Sequence, residues 1–205
     1  MTPESQVIVY NPDVNLTERK SALNNNTQEV VTVGDLKGYK VYTALLTQSG
    51  SDGSFVNVIQ EYLIIGATYF IKVSNGGDFT NVGAPNNNVN TYFVATGTTP
   101  NGWKSSILSY CSSAPAVTVL ENTIGNIWFT YSDVGVYNIN SDGLFTDNKT
   151  FVNISQTVQN TSDSDSQNLQ FVSPESTINE LIIQTVGAGQ DGIANNTPIE
   201  IRVYN

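Results

Sequence analysis

The chain has 205 residues, of which 39% are hydrophobic and 13% charged, and its net charge is −10. Eight lysines and arginines stand against 18 acidic residues, which argues against a nucleic-acid partner and against a polybasic membrane contact. Histidine is absent and there is one cysteine, which excludes Ser-His-Asp and Cys-His catalysis, cysteine-rich metal sites and most histidine-ligated metal sites.

Much of the polarity comes from uncharged side chains, and 25 residues are asparagine. Asn, Ser and Thr bond the backbone in turns and compete with helices, so the composition favours short strands joined by tight turns. The start of the chain has no cationic segment before a long apolar one, and no apolar run approaches about 20 residues, so we expect neither a secretory signal nor a membrane span. Cys111 cannot form an intrachain disulfide, which fits synthesis in a reducing cytoplasm, and its place at a predicted strand end indicates a buried, unreactive thiol.

Residues 1–34 differ from the rest and are predicted to form an N-terminal arm. A short β-like run over 6–10 ends at an Asn-Pro-Asp turn. The segment from Thr17 to Leu23 holds the best helix formers of the chain and predicts a helix of at most two turns. Two interpretations remain open: the arm packs on its own domain, or it docks onto a neighbouring subunit or a larger assembly.

The segment from Lys37 to Gln48 gives a strong strand signal. Apolar residues occur on both of its faces, which indicates a central strand buried on both sides. A turn rich in glycine and serine ends it. Residues 55–112 then have a strand rhythm of their own, with predicted strands at Phe55–Ile59, Glu61–Ile65, Tyr69–Val73, Tyr92–Thr96 and Ser106–Tyr110.

Two features within 55–112 bear on function. The loop from Ala84 to Asn90 is too polar to bury and predicts an exposed tip. Trp103 is either a core side chain or an exposed stacking surface. The core is favoured, because a lone tryptophan in a small β unit usually supplies buried area.

From Ala114 to Phe151 the sequence reads as a ladder of short strands separated by turn signals such as Ser-Asp-Gly. A loop-like stretch over 157–168 follows, and then strands are predicted over 169–172, 179–186 and 198–204. The alternating last strand predicts a C-terminus tied into a sheet. Such a ladder indicates an all-β fold and names no reaction.

Three motifs that could carry chemistry are weak. GAGQDG at Gly187–Gly192 fits a dinucleotide fingerprint, but only 13 residues follow it and they predict a strand rather than a phosphate-binding helix. Asp163 and Asp165 could suit calcium, but the glycine and glutamate of an EF-hand loop are missing at their places. A glycosidase needs two facing carboxylates, and the aspartates here occupy turn-like positions where Asp is expected for backbone reasons.

Four stretches resemble a recurring β domain of tailed-bacteriophage virion proteins of the head-fibre and tail-fibre-like kind. They are YKVYTALLTQSG (Tyr39–Gly50), SAPAVTVLENTIG (Ser113–Gly125), GVYNINSDGLFTDNKTFV (Gly135–Val152) and NTPIEIRVYN (Asn196–Asn205). In that pattern the first stretch is followed almost at once by the second, whereas here 62 residues intervene. The intervening part is itself similar to a small module of such phage proteins.

The sequence and the resemblance together predict an all-β fold with three parts. An antiparallel β-sandwich-like host domain takes residues 35–50 plus 113–205, a small inserted β module takes 51–112, and the N-terminal arm takes 1–34. The resemblance covers residues 37–205 and leaves the arm without a counterpart. We expect Lys37–Gln48 to lie in the same sheet system as the ladder and the terminal strand Ile199–Tyr204.

The resemblance also implies a non-enzymatic virion component, a head-fibre or capsid-decoration protein that is made in the bacterial cytoplasm and anchored through its arm. The family offers no catalytic, cofactor or metal residues to carry over. Phage fibres are commonly homotrimers, so Val7, Val9 and Tyr10 are expected to pack against a neighbouring subunit or other virion proteins.

Two further hypotheses come from other classes. A tail-fibre or receptor-binding module would contact host surface glycans through Tyr92, Trp103 or the loop from Ser74 to Asn90. A glycosidase-like hydrolase would place two carboxylates across a groove.

Overall fold

The computed structural model describes residues 7–11, 16–20, 28–32, 38–48, 53–60, 62–155, 168–177, 179–186 and 191–205. Within them lie 15 strands and one 3₁₀ turn, Thr80–Val82. The strands are β1 (Val7–Asn11), β2 (Leu16–Lys20), β3 (Gln28–Thr32), β4 (Tyr39–Thr47), β5 (Phe55–Val58), β6 (Thr68–Val73), β7 (Tyr92–Val94), β8 (Ile107–Cys111), β9 (Ala116–Asn122), β10 (Ile127–Asp133), β11 (Val136–Ser141), β12 (Thr150–Ile154), β13 (Asn168–Thr177), β14 (Glu180–Val186) and β15 (Thr197–Tyr204). The predicted all-β fold is confirmed. None of the helical segments in these ranges has the length and apolarity to cross a membrane.

Two four-stranded antiparallel sheets form a sandwich around one core. One sheet has the order β12-β15-β4-β9 and the other β10-β11-β14-β13. In β4, β10, β11, β14 and β15 buried residues recur at every second position, as a sheet with one core face requires. The buried members include Tyr42, Ala44, Leu46, Val117, Ile127, Phe129, Tyr137, Ile139, Leu181, Ile183, Ile199, Ile201 and Val203. Across this core the rings of Tyr42 and Phe129 have centroids 6.4 Å apart.

Strand β4 confirms the predicted pairing of Lys37–Gln48. It lies between β15 and β9, with Tyr42 opposite Ile201 on one side and Leu45 opposite Thr118 on the other. The C-terminal strand β15 in turn lies between β12 and β4, which confirms that the C-terminus is tied into a sheet.

The outer face of β4 is less buried than its core face. Val41 is buried there, Thr43 and Leu45 are half-buried and Thr47 is exposed, so the predicted burial of both faces is met only in part on this one. Arg202 on β15 places its guanidinium carbon 5.0 Å from the centroid of the Tyr39 ring, and its Nε lies 2.7 Å from Oε1 of Glu200. Long side chains that lie along a sheet screen it partly, without a second layer.

A separate small sheet has the order β5-β8-β6-β7 and contains residues from 55–111 alone. Its own core consists of Leu63, Ala67, Tyr69, Ile71, Phe79, Val82, Ala84, Phe93, Ala95 and Leu108. Thr47, before this segment, and Ala116, after it, are opposite each other in β4 and β9. The chain therefore leaves the sandwich and re-enters it at one place. That residues 51–112 form an inserted module stays a prediction.

Two local predictions are wrong. Of the predicted helix Thr17–Leu23, residues 17–20 belong to strand β2, because β2 pairs with β1 on one side and β3 on the other. An isolated two-turn helix is marginal in water, whereas a strand with two partners is supported by hydrogen bonds along both edges. Of the predicted strand Glu61–Ile65, residues 62–65 form no strand. A turn closed by Ala67 N–H donating to the Ile64 carbonyl follows Leu63, the buried residue of this stretch.

Some expectations fall outside the described residues. The possible calcium ligands Asp163 and Asp165 lie in 156–167, and the glycines of GAGQDG before Asp191 lie in 187–190. The arm residues Val7, Val9 and Tyr10 lie on β1, opposite Lys20, Glu18 and Thr17 of β2 in the three-stranded sheet β1-β2-β3.

Candidate functional site

The two aromatic residues proposed for ligand contact lie on different faces of the small sheet. Trp103 is half-buried against the core of this sheet, where its Nε1 donates to the Ser106 carbonyl at 2.9 Å and its ring meets Phe79 edge-on at 6.3 Å. Tyr92 precedes Phe93, which is fully buried in that same core. Since successive residues of a strand point to opposite faces, Tyr92 points away from Trp103.

Tyr92 instead belongs to a stack of aromatic rings that crosses from the small sheet to the sandwich. Its ring lies 5.1 Å from Phe70, tilted by 26°, and 5.6 Å from Trp128, tilted by 15°. Phe55 meets Phe70 edge-on at 5.5 Å and is 48% exposed. The other three rings are half-buried. We name Phe55, Phe70, Tyr92 and Trp128 the aromatic stack.

Three hydrogen bonds fix the small sheet against the sandwich beside this stack. Val117 N–H donates to the Gly66 carbonyl at 2.8 Å, and Phe129 N–H donates to Thr68 Oγ1 at 3.2 Å. The Asn126 side-chain amide donates to the Tyr92 carbonyl at 3.1 Å. Each of these three bonds joins one residue of 55–111 to one of 113–205, so the two sheets meet in a fixed orientation. The same amide also donates to Asp142 Oδ2 at 3.3 Å, within the sandwich.

A cleft of about 390 Å³ opens at this junction. The sandwich contributes Tyr42, Val119, Asn122, Gly125, Asn126 and Ile127 to its walls, and the small sheet contributes Gly83, Pro85, Val94 and Thr96. None of these lining residues is charged. We name this space the junction cleft.

Tyr42 has an unusual place in the junction cleft. The residue is 1% exposed, and within the described part of the chain its hydroxyl makes no hydrogen bond. Burial raises the pKa of this phenol above its ordinary value. Buried hydroxyls in folded proteins are nearly always paired, and Ser106 Oγ is a second buried hydroxyl without a partner among the described residues.

Asp191 forms a second polar cluster, away from the cleft. Its Oδ1 accepts hydrogen bonds from Gly135 N–H at 2.8 Å and from the Tyr137 hydroxyl at 3.0 Å, and its Oδ2 accepts one from the Tyr131 hydroxyl at 3.1 Å. The aspartate of GAGQDG thus ties the start of the last segment to the β10–β11 hairpin. Asp191 stands at a variable position of the dinucleotide fingerprint, and its three hydrogen bonds give it a structural role there instead.

Replacing Tyr137 with Phe tests this cluster. We expect the free energy of unfolding to fall by about 1.5 to 3 kcal/mol, because a hydrogen bond to a charged, partly buried carboxylate is lost. Tyr42→Phe is the matched control: its hydroxyl has no hydrogen-bond partner among the described residues, so its removal should leave stability unchanged or slightly higher. Urea denaturation of both variants and the wild type measures the difference, and equal losses would contradict the assignment.

The buried tyrosines also predict how stability depends on pH. Burial raises the pKa of Tyr42 and Tyr69, and burial together with Asp191 raises that of Tyr137. The folded chain therefore keeps these phenols protonated while the unfolded chain loses the protons above about pH 10, so their contribution is complete below that pH and declines above it. With no histidine in the chain, the urea midpoint should be nearly constant between about pH 6 and 8 and fall steeply beyond about pH 10.5. Full phenolate absorbance in a chain that is still folded would contradict this.

The loop from Ala84 to Asn90 is exposed apart from Ala84, which is buried, and Asn87, which is half-buried, so the predicted exposed tip is confirmed. It is tied down by Asp78, whose Oδ1 accepts from Thr80 N–H, the Thr80 hydroxyl and the Asn87 amide. These bonds, those from Thr80 first, lower the pKa of Asp78. The Asp78 carboxylate therefore stabilises a turn, as its position in the sequence predicted.

Other acidic residues of the described ranges also have structural partners. Glu180 accepts from the Asn138 amide at 3.0 Å, and Glu200 pairs with Arg202. No group of three or more Cys, Asp or Glu side chains that could hold a metal ion occurs among these residues. The thiol of Cys111 is buried, as the sequence predicted.

Compared with protein-family models, with curated proteins and with solved structures, the chain shows no match. The aromatic stack and the junction cleft were not predicted from the sequence. Trp128 stands in an ordinary alternating strand, and its contact with Tyr92 depends on how two sheets dock.

Proposed function

We propose that the chain is a non-enzymatic component of a tailed-bacteriophage virion, a head-fibre or capsid-decoration protein that displays its β domains. The observation behind this proposal is that the four stretches with phage-like sequence fall in one structural unit. They supply β4, β9, β11, β12 and β15, which are five of the eight strands of the sandwich. Because the resembling stretches lie in the strands of one folded unit and not in scattered turns, they support a fold and a role shared with the phage proteins.

The proposed attachment runs through the N-terminal sheet β1-β2-β3. In this proposal the chain is a homotrimer, and Val7, Val9 and Tyr10 on β1 contact a neighbouring subunit or another virion protein. A symmetric assembly buries apolar surface that a short three-stranded sheet cannot bury alone.

Light scattering of the purified chain tests the assembly. We expect a mass three times that of the 22.2 kDa chain, and a monomer after removal of residues 1–34. A full-length chain that is monomeric at micromolar concentration would reject the trimer. Antibody labelling of intact particles of the encoding phage tests the location: label on heads supports the proposal, and label on tail tips favours the alternative below.

A second candidate function is contact with host surface glycans. The aromatic stack favours it, because half-exposed rings stand beside the Asn126 amide and the Asp142 carboxylate, and sugars are recognised by this combination of ring surface and polar groups. Tyr92 already stacks on two neighbours, so the rings with a face to offer are those at the two ends of the stack, Phe55, which is 48% exposed, and Trp128, which is half-buried.

A glycan array of bacterial surface polysaccharides tests this candidate with the full chain. Binding that is lost in Trp128→Ala and kept in Trp103→Ala would support it, since Trp103 lies on the opposite face of the small sheet. Circular dichroism of both variants controls for unfolding. An array without any bound glycan would remove the candidate.

A further inference from the structure

Two Asn-Gly steps lie side by side at one end of the small sheet, after β6 ends and before β8 begins. The sequence contains this dipeptide at Asn75-Gly76 and at Asn101-Gly102 and nowhere else. All four residues are exposed, and both glycines have a left-handed backbone, with φ of +76° and +61°. The bridge between Asp78 and Asn101 brings the two steps together. They share exposure, sequence and glycine conformation, and they differ in how the asparagine is held.

An asparagine followed by glycine can react without an enzyme. The backbone nitrogen of the glycine attacks Cγ of the asparagine, the new N–Cγ bond closes a five-membered imide, and the Cγ–Nδ2 bond breaks. Ammonia leaves with the proton of the attacking nitrogen. Water then opens the imide: cleavage of the N–Cγ bond gives aspartate, and cleavage of the other N–C bond gives isoaspartate, whose main chain runs through Cβ. Glycine favours the first step, because it has no Cβ beside the attacking nitrogen.

The peptide group between Asn75 and Gly76 is free to rotate. It is the central peptide of a turn that Gly77 N–H closes by donating to the Ser74 carbonyl at 3.0 Å. The central peptide takes no part in that closing bond, and turns of types I and II differ mainly in its orientation. Among the described residues neither its carbonyl nor its N–H has a hydrogen-bond partner. An added Cβ at Gly76 would meet nothing within 4 Å, so there is space for the rotation that ring closure needs.

One contact holds the Asn75 side chain. Its amide donates to the Ser105 carbonyl at 3.3 Å, in exposed surroundings. A bond of this length that is open to water contributes little, because water replaces the protein partner when it breaks. The contact therefore slows the attack on Cγ only slightly.

The backbone of Asn101 is held on both sides. Its N–H donates to the Asp78 carbonyl at 3.0 Å, and its carbonyl accepts from Asp78 N–H at 2.8 Å. The same N–H also reaches Asn81 Oδ1 at 3.2 Å. Rotation of the peptide between Asn101 and Gly102 turns the Asn101 carbonyl away from Asp78 and breaks the bridge. Ring closure at Asn101 therefore requires a local opening that Asn75 does not need.

We propose that Asn75 is a site of spontaneous modification, at which the folded chain converts asparagine to aspartate and isoaspartate while Asn101 is protected. The conversion adds one negative charge at the start of the loop from Ser74 to Asn90, the loop that the glycan hypothesis assigns to ligand contact. It also removes the amide that donates to the Ser105 carbonyl. Water is the only co-reactant. The proposal goes beyond the virion role and does not depend on it.

Ageing of the full chain at mildly alkaline pH tests the proposal. Trypsin cuts after lysine, and the peptide that follows Lys72 and ends at Lys104 carries both asparagines. Fragment-ion mass spectrometry then measures the exchange of NH₂ for OH at both positions in one molecule. We expect conversion to be about tenfold faster at Asn75 than at Asn101, because the two backbone hydrogen bonds of the bridge have to open first at Asn101. In urea neither step is restrained, so the two rates should become equal.

Asn75→Gln is the control variant. A glutamine before glycine would have to close a six-membered ring, which forms far more slowly, so residue 75 should keep its amide. Asn101 should remain as slow as in the wild type, and circular dichroism of the variant controls for unfolding.

Two results would overturn the proposal. One is equal conversion of Asn75 and Asn101 in the folded chain. The other is an intact Asn75 in the folded chain after the time in which the urea-unfolded chain has been converted, which would show that the turn protects it.

Discussion

A chain in which Asn-Gly replaces residues 49–114 is expected to fold into the sandwich without the small sheet. Thr47 and Ala116 are already opposite each other in β4 and β9, so a two-residue turn converts these strands into an ordinary hairpin. The inward residues of both sheets remain, apart from Val94, which is the one member of the buried sandwich core that the excised segment supplies.

The excised chain should nevertheless lose about 3 to 6 kcal/mol of unfolding free energy. It gives up the burial of Val94, the stacking of Tyr92 on Trp128 and the hydrogen bonds that reach Val117 and Phe129. Circular dichroism and urea denaturation measure the outcome. We expect a single cooperative transition with its midpoint at a lower urea concentration than that of the full chain. A chain without a cooperative transition would show that the sandwich cannot form alone.

The reciprocal chain, residues 54–112, is the matched control. Its ends meet where Phe55 lies opposite Cys111 in β5 and β8, and its core is separate from that of the sandwich. We expect dispersed amide resonances from this fragment alone. A fragment that stays unfolded while the excised host folds would make the small sheet dependent on its host.

Gly66→Ala is expected to destabilise the junction strongly. Gly66 has a left-handed backbone with φ of +85°, and a Cβ there would overlap the carbonyl oxygen of Val117. The backbone of Val117 cannot move away without breaking its own hydrogen bond to the Gly66 carbonyl. Conformational strain and overlap together should cost about 3 kcal/mol or more, measured by urea denaturation.

Gly76→Ala separates the two contributions. Gly76 has a similar φ of +76°, but a Cβ there meets nothing within 4 Å. We expect a loss of about 1 to 2 kcal/mol from the backbone conformation alone. If both alanine variants lost the same amount, the close approach at Gly66 would contribute nothing.

Much of the sandwich could be predicted from the sequence because its strands carry strong local signals. Alternating apolar residues and turn residues locate β4, β9, β10, β11 and β15. The resemblance predicted that β4 lies in one sheet system with the ladder and with β15, and the structure shows its neighbours to be β9 and β15. Leu45 shows the limit of the pattern: an apolar residue on the second face predicts burial there, yet Leu45 is only half-buried. The helix formers of Thr17–Leu23 failed for a related reason, since pairing on both edges outweighs a weak propensity.

The candidate site could not be predicted in the same way. Trp128 and Tyr92 are 36 positions apart and meet because three backbone and amide hydrogen bonds orient the small sheet. The unpaired hydroxyl of Tyr42 has no signature in the sequence at all, since a tyrosine in an apolar strand ordinarily finds a partner. Such features depend on docking geometry rather than on local pattern.

The rate at which Cys111 is chemically modified can report how often the small sheet opens. It is the only cysteine of 205 residues, it is 5% exposed, and it lies on β8 at the point where the small sheet closes on Phe55. An excess of a thiol reagent can modify it only as fast as β8 becomes accessible. The modification rate of the unaltered chain therefore measures the opening rate of the small sheet. A modification rate above the global unfolding rate would show that this sheet opens while the sandwich stays folded.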